Sequence, residues 1–373
     1  MKGKILFTAS IAKHILRFHL PYLQWLQQQG YETHVACLGD EVLPFTNKQW
    51  NIPFVRSPFS IGHINAYQQL KKIIEKENFV LIHCHTPMAS VVTRLAAVNA
   101  RKLGTKVLYT AHGFHFYKGG PKKDWLTYYP VERILLNLTD ALITINTEDF
   151  EVIKKLKSKE TRVFKIPGIG VNRNKFFPIS EEEKQKIRTK NNYAPDDFIL
   201  VYAAEFIERK NHQFIIDAFV HFKKELPKCK VLFAGWGKLG EILQKRVQEL
   251  KLTEQIIFLG FRNDIDEVFK MSDIGISSSK QEGLGLNLIE EMMCGLPVVA
   301  TIDRGHKEVM NHEATGYLFE QESISEFKNY IQKLYNDKNL YQNFSLQAIE
   351  KAEQFELNHS LEAMKHIYQL YLK

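Results

Sequence analysis

Two doubly wound α/β domains with a helical C-terminus are what this sequence predicts, on three observations. Short apolar runs alternate with longer amphipathic stretches; the rhythm breaks once near residue 170 and restarts; and 373 residues suit two domains better than one. The first series of runs covers residues 5–8, 33–37, 79–84, 106–110, 141–145 and 163–166. Short, continuously apolar runs mark strands buried on both faces, as in a parallel sheet. Between them Ile15, Phe18, Tyr22, Leu23 and Leu26 recur at helical spacing, as do Val91, Leu95 and Val98, and Ile134, Leu135 and Leu138.

The break is Ile166-Pro167-Gly168-Ile169-Gly170-Val171 with the polar stretch 172–175 and Pro178, which reads as a linker. A second strand series follows at 199–203, 230–234, 256–259, 274–277 and 298–301, and residues 322–373 are helical in pattern. The expected domains are 1–172 and 173–357, with a last helix, 358–373, returning to the first. Such domains carry their ligand loops at strand C-termini, here expected to face one cleft.

Composition narrows the class. Hydrophobic residues at 45% and charged residues at 25% exclude disorder and collagen-like chains. Cys37, Cys84, Cys229 and Cys294 show no CxxC spacing, so neither a disulfide framework nor a zinc knuckle is expected and a reducing cytoplasm fits. No run of 18 apolar residues suggests a membrane span. The opening MKGKILFTASIA imitates a signal peptide, but its apolar core, 5–7, is too short, and a strand entering a helix is the better reading. Charge is uneven: residues 1–175 hold 25 basic and 12 acidic side chains, the remainder 25 and 30. A basic half can face nucleic acid, an anionic membrane or a phosphorylated substrate, or simply be a solvated surface.

The richest segment is Glu282-Gly283-Leu284-Gly285-Leu286 leading to Glu290 and then Cys294-Gly295-Leu296-Pro297-Val298. It follows a buried strand, turns through two glycines and opens a helix, a geometry whose backbone N–H groups can approach a phosphate. Glu282 and Glu290, two helical turns apart, suit hydroxyls of one elongated ligand. Taken alone, a helix N-terminal charge and an ordinary surface glutamate explain them equally well.

This segment resembles the signature of bacterial family-4 retaining glycosyltransferases, which have the two-domain GT-B fold. The similarity extends over nearly the whole chain, through Phe18-His19-Leu20-Pro21-Tyr22-Leu23, Val80-Leu81-Ile82-His83-Cys84-His85, Thr110-Ala111-His112-Gly113, Asp140, the linker and Gly235-Trp236-Gly237, and the first of these is most similar to exopolysaccharide and capsule enzymes. The resemblance implies that Glu282 contacts donor-sugar hydroxyls, that the backbone of Gly283, Leu284, Gly285 and Leu286 holds the diphosphate, and that Glu290 binds the ribose. It also implies a donor-sugar contact near the reacting centre for His112, whose alternative is a packed loop histidine. Lys210 matches the family lysine that neutralises the diphosphate, whereas Glu205 stands where the family has arginine, which leaves Arg209 to supply the second positive charge. A solvated basic pair is the alternative there. The first loop, 8–14, lacks the adjacent glycines of many relatives, so its donor contact is in doubt; Lys13 and His14 are candidates to face the cleft.

His83 and His85 are further cleft or acceptor candidates, and no metal is expected at them. Asp264-Ile265-Asp266 imitates a metal-binding pair but opens an amphipathic stretch, where helix N-terminal carboxylates explain it better. The expectation is therefore a cytoplasmic, peripherally membrane-attached, metal-independent retaining enzyme without cofactor, moving a sugar from a nucleotide diphosphate donor, UDP-linked by preference, to a lipid-linked or glycan acceptor. The rivals are a nucleotide-sugar epimerase of similar fold and a basic nucleic-acid-binding protein without a recognised motif.

Overall fold

The computed structural model describes residues 2–55, 57, 60–156 and 160–372, and the chain divides into two compact units, Met1–Gly170 with Asn358–Lys373, and Val171–Leu357. Among the described residues unit 1 holds seven strands, β1 (Lys4–Ile11), β2 (Glu32–Leu38), β3 (Lys48–Asn51), β4 (Leu81–His85), β5 (Lys106–Ala111), β6 (Ala141–Thr144) and β7 (Arg162–Lys165). They form one sheet in the order β3-β2-β1-β4-β5-β6-β7, and every pairing is parallel. Unit 2 holds β8 (Phe198–Ala203), β9 (Cys229–Ala234), β10 (Ile256–Gly260), β11 (Ile274–Ser277), β12 (Val298–Thr301) and β13 (Gly316–Phe319), again all parallel, in the order β10-β9-β8-β11-β12-β13.

Both sheets are thus doubly wound, as the run pattern predicts. The inner strands are mainly apolar, as burial on both faces requires; Ile5, Leu6, Phe7, Leu81 and Ile82 in unit 1, and Ile199, Leu200, Val201 and Tyr202 in unit 2, have no exposed surface. Strand order reverses direction between β1 and β4 in unit 1 and between β8 and β11 in unit 2. At such a switch point the crossover helices leave to opposite faces and open a crevice beyond the strand C-termini.

Several local expectations need correction. The segment 8–14 is not a loop: β1 runs to Ile11, and a helix, Ala12–Phe18, begins at once. Thr8 inside the strand is satisfied by Thr93, the two hydroxyl oxygens lying 2.8 Å apart. The fourth strand starts at Leu81 and includes His85. Two edge strands, β3 and β13, have no counterpart in the apolar-run reading. The first, Lys-Gln-Trp-Asn, is half exposed and carries no buried run to betray it.

Three helices, Ile324–Asn336, Lys338–Glu353 and Leu357–Tyr371, close the chain. The last packs within unit 1: Tyr368 Oη lies 2.7 Å from His83 Nδ1, and Tyr371 Oη donates to the Asp140 carbonyl at 3.0 Å. Among the described residues no helix is long and apolar enough to cross a membrane.

Candidate active site

In unit 2 the switch point brings two loops together. After β8 the chain makes a short 3₁₀ turn, Glu208–Lys210, and leaves it through Asn211 in the left-handed region (φ 52°). After β11 it runs through Ser278 to Gly285, also left-handed (φ 92°), into the helix Leu286–Met293. The Lys280 N–H donates to the Arg209 carbonyl at 2.8 Å, Ser278 Oγ donates to the Asn211 carbonyl at 2.8 Å, and Tyr202 Oη donates to the Lys210 carbonyl at 2.8 Å. The first two bonds lock the loops to one another, and the third ties the 3₁₀ turn to β8.

The result is a cation–carboxylate cluster. Lys210 Nζ donates to Glu282 Oε1, Arg209 Nη1 lies 3.4 Å from Glu282 Oε2, and the same Nη1 donates to the Gln281 carbonyl at 2.6 Å. Glu282 is 8% exposed. Burial, the largest influence, pushes its carboxyl up, but Lys210, then Arg209 and His306, overcome it and hold the group down at about 2. Its backbone is fixed as well: the Glu282 N–H donates to Asp303 Oδ1 at 3.0 Å, and that oxygen also accepts from the Gly305 N–H at 2.7 Å as the cap of the helix Arg304–Val309. A side chain at Gly305 would meet Glu282 Cβ at 2.8 Å, so only glycine lets this helix approach the loop. Asp303 and Gly305 escape sequence reading, because their contribution is to hold Glu282 from another strand's end.

Gly285 offers the first turn of Leu286–Met293 no side-chain acceptor. Helix N-terminal N–H groups without an internal partner, beside two cations, form an anion-favouring corner. Gly283 and Leu286 are half buried, Leu284 is buried, and Glu290 lies half buried inside the helix. Its neighbour Glu291 is wholly buried, and burial holds that carboxyl well above the usual range, which makes it a neutral core group. Glu205 is exposed and stands outside the cluster; Arg209 is the second cation there.

The imitation metal pair is otherwise engaged. Arg262 clasps Asp264 through two bonds of 2.7 and 2.6 Å, and Asp266 pairs with Lys270 at 3.1 Å. Asp266 also opens the helix Ile265–Met271, whose dipole favours it.

In unit 1 the switch point gathers five imidazoles. His14 and His19 follow β1, His83 and His85 stand on β4, and His112 follows β5. The His19 ring stacks on His85 with centroids 3.7 Å apart, His14 meets His112 edge-on at 4.9 Å, and His112 Nε2 lies 3.4 Å from His85 Nδ1. Burial pushes all five down, His112 to about 4 and His83 to about 3, so they are neutral at physiological pH.

His83 requires a correction. Both its nitrogens have protein partners, Tyr368 Oη and Thr110 Oγ1 at 2.7 and 2.8 Å, so it braces the C-terminal helix and is not an accessible acceptor group. Lys13 is exposed on the first helix while His14 turns into the cluster. His19, noted in the sequence only within the Phe-His-Leu-Pro stretch, proves to be a central member. His19 stands at the end of the helix Ala12–Phe18 and His85 at the end of β4, so their pairing left no local signal.

Comparison with known proteins places this geometry in a family. The model described as glycosyl transferases group 1 matches residues 183–351, and that described as glycosyl transferase 4-like matches residues 4–146. The chain is 42% identical to the glycosyltransferase EpsD of Bacillus subtilis over 372 residues, covering 100% of this chain and 98% of the relative. It is 29% identical, over 87% of its length and 85% of the relative's, to the Escherichia coli UDP-Gal:alpha-D-GlcNAc-diphosphoundecaprenol alpha-1,3-galactosyltransferase. Among solved structures, Anabaena HepE in complex with UDP and glucose superposes with a TM-score of 0.80 at 20% identity, covering 98% of this chain and 99% of that one; the fold is shared. The epimerase alternative receives no support from these relatives.

Proposed function

The chain belongs to the group 1 glycosyl transferases, and on that premise we propose that it transfers a sugar, with retention, from a UDP-sugar to a lipid-linked acceptor in exopolysaccharide synthesis. The observation that carries this reading is the Lys210–Glu282–Arg209 cluster beside an uncapped helix N-terminus at the unit 2 switch point. A nucleotide diphosphate needs cations and N–H donors at its phosphates and hydrogen-bond acceptors at its sugar, and the cluster offers both side by side.

Lys210 and Arg209 hold the diphosphate and stabilise charge as it leaves, with no divalent cation at the phosphates. Glu282, kept ionised, accepts from donor-sugar hydroxyls; Gly283, Leu284, Gly285 and Leu286 present backbone to the phosphates; and Glu290 accepts from the ribose. His112 is neutral, so it hydrogen-bonds the sugar and does not counter a phosphate. No carboxylate is placed as a nucleophile in this scheme. Retention then follows a front-face course, in which a departing phosphate oxygen takes the proton of the acceptor hydroxyl while that hydroxyl oxygen bonds to the anomeric carbon.

Attachment to an anionic membrane face, where a lipid-linked acceptor resides, is supported by the helix Lys122–Leu136. Arg94 clasps Glu132 through bonds of 2.8 and 3.0 Å on one side of it, while Leu126 (77% exposed) and Ile134 (66%) stand out beside Lys122, Lys123 and Arg133. Exposed apolar side chains among cations suit an anionic bilayer surface. Phe114 and Phe116, by contrast, are buried and stack on each other at 4.8 Å, so they belong to the core.

Incubation with a panel of UDP-sugars, with and without polyprenyl-diphosphate-linked glycan, tests the proposal. The expected result is acceptor-dependent release of UDP with an α-linked product. Conversion of a nucleotide sugar in the absence of acceptor, or inversion at the anomeric carbon, would overturn it.

A further inference from the structure

We infer that His14, His19, His85 and His112 form a binding site for one divalent transition-metal ion of the zinc class. One ligand-capable nitrogen from each ring lies within 4.8 Å of all the others. A tetrahedral ion with bonds of about 2.0–2.1 Å needs nitrogens roughly 3.4 Å apart, so modest ring rotations close the set.

A second observation points the same way. His14 Nε2, both nitrogens of His19 and Nε2 of His85 are buried without a hydrogen-bond partner. Each is a polar atom withdrawn from water with nothing in exchange, which a folded chain avoids unless something else binds there. His212 in unit 2 also lacks partners, but it packs alone among Tyr202, Phe206 and Phe233. Convergence of four rings separates the unit 1 cluster from such a packed histidine.

The chemistry favours a metal over an anion. Among the described residues the set contains imidazoles alone, whose ring nitrogens converge at close range as a transition-metal donor set does. Nitrogen-only ligation suits zinc, cobalt, nickel or copper and not magnesium or calcium. His19 and His85 are fully buried, whereas His14 and His112 are half-buried. The ligand set lies wholly in unit 1 and shares no residue with the Lys210–Glu282 cluster; it does share His112 with the proposed sugar contact, so the test below reads the metal itself and not transfer.

The full-length chain, stripped with a chelator and dialysed, is titrated with Co²⁺ and then with Zn²⁺. One equivalent of Co²⁺ should give the visible absorption bands of a four-coordinate nitrogen site, Zn²⁺ should displace it, and excess Zn²⁺ should raise Tm. His19→Gln and His14→Gln should each abolish the bands, while His221→Gln, at an exposed position in unit 2, should not. Metal-free Tm checks folding, and if His19→Gln does not fold, the half-buried His14→Gln decides alone. Absence of stoichiometric Co²⁺ binding, or bands that persist in the folded cluster variants, would overturn the proposal.

Discussion

Replacing Lys210 with methionine removes the ammonium from Glu282 and keeps a flexible side chain of similar reach. The Glu282 carboxyl stands at about 2 against an ordinary 4.5, because Lys210, Arg209 and His306 together outweigh a burial effect that would raise it. That difference corresponds to about 3 kcal/mol in favour of the charged, folded form. Lys210 is the leading counter-charge, and Arg209 is the more exposed of the two cations. Lys210→Met should therefore cost about 2 kcal/mol at pH 7, much of it from leaving a buried carboxylate short of a partner. The pH dependence has a definite sign. A depressed carboxyl contributes stability in full above 4.5 and loses it as pH falls through about 2, so the gap between wild type and variant should be wide at pH 7 and narrower at pH 3. Urea unfolding followed by circular dichroism at both pH values measures it, with Lys210→Met/Glu282→Gln as the companion, which should recover part of the loss because a neutral amide needs no counter-charge. Equal midpoints for wild type and Lys210→Met at pH 7, or a double variant no more stable than the single, would refute the electrostatic account of the cluster.

Other consequences can be checked separately. UDP should raise Tm of the wild-type chain, and Glu290→Ala should lower UDP affinity about tenfold and shrink that rise, as loss of one hydrogen-bonding carboxylate requires; isothermal titration gives the comparison. His112→Ala should reduce kcat about tenfold while UDP affinity stays within twofold, because the ring is assigned to the sugar and not to the nucleotide. Transfer should need no added Mg²⁺ or Mn²⁺, since Asp264 and Asp266 are held by Arg262 and Lys270; rescue of an EDTA-treated chain by Mg²⁺ or Mn²⁺ would return those carboxylates to the mechanism. The chain should sediment with anionic vesicles at low salt and leave them as salt rises, and Lys122→Glu/Lys123→Glu or Leu126→Asp should weaken that binding. Equal sedimentation with neutral vesicles would remove the charge-driven part of the membrane proposal.

What sequence alone determined here is whatever a local pattern must encode. A strand buried on both faces reads as a continuous, mainly apolar run, so β11 and β12 are legible to the residue at 274–277 and 298–301. The glycines around Glu282 announce a backbone that only a left-handed turn into a helix can use, as Gly285 does at φ 92°. Edge strands obey no such constraint: β3 has one flank open to solvent and needs no apolar run, so it was invisible. The same logic divides the sites. Arg209, Lys210 and Glu282 are recognisable as residue types near strand ends, but their union rests on β8 and β11 being neighbours across a switch in strand order, a property of the whole sheet. His14, His19, His85 and His112 are scattered over three strand ends nearly a hundred residues apart. Nothing in their spacing relates them, because parallel strands join residues distant in sequence through hydrogen-bonded register, and only the folded sheet brings their rings together.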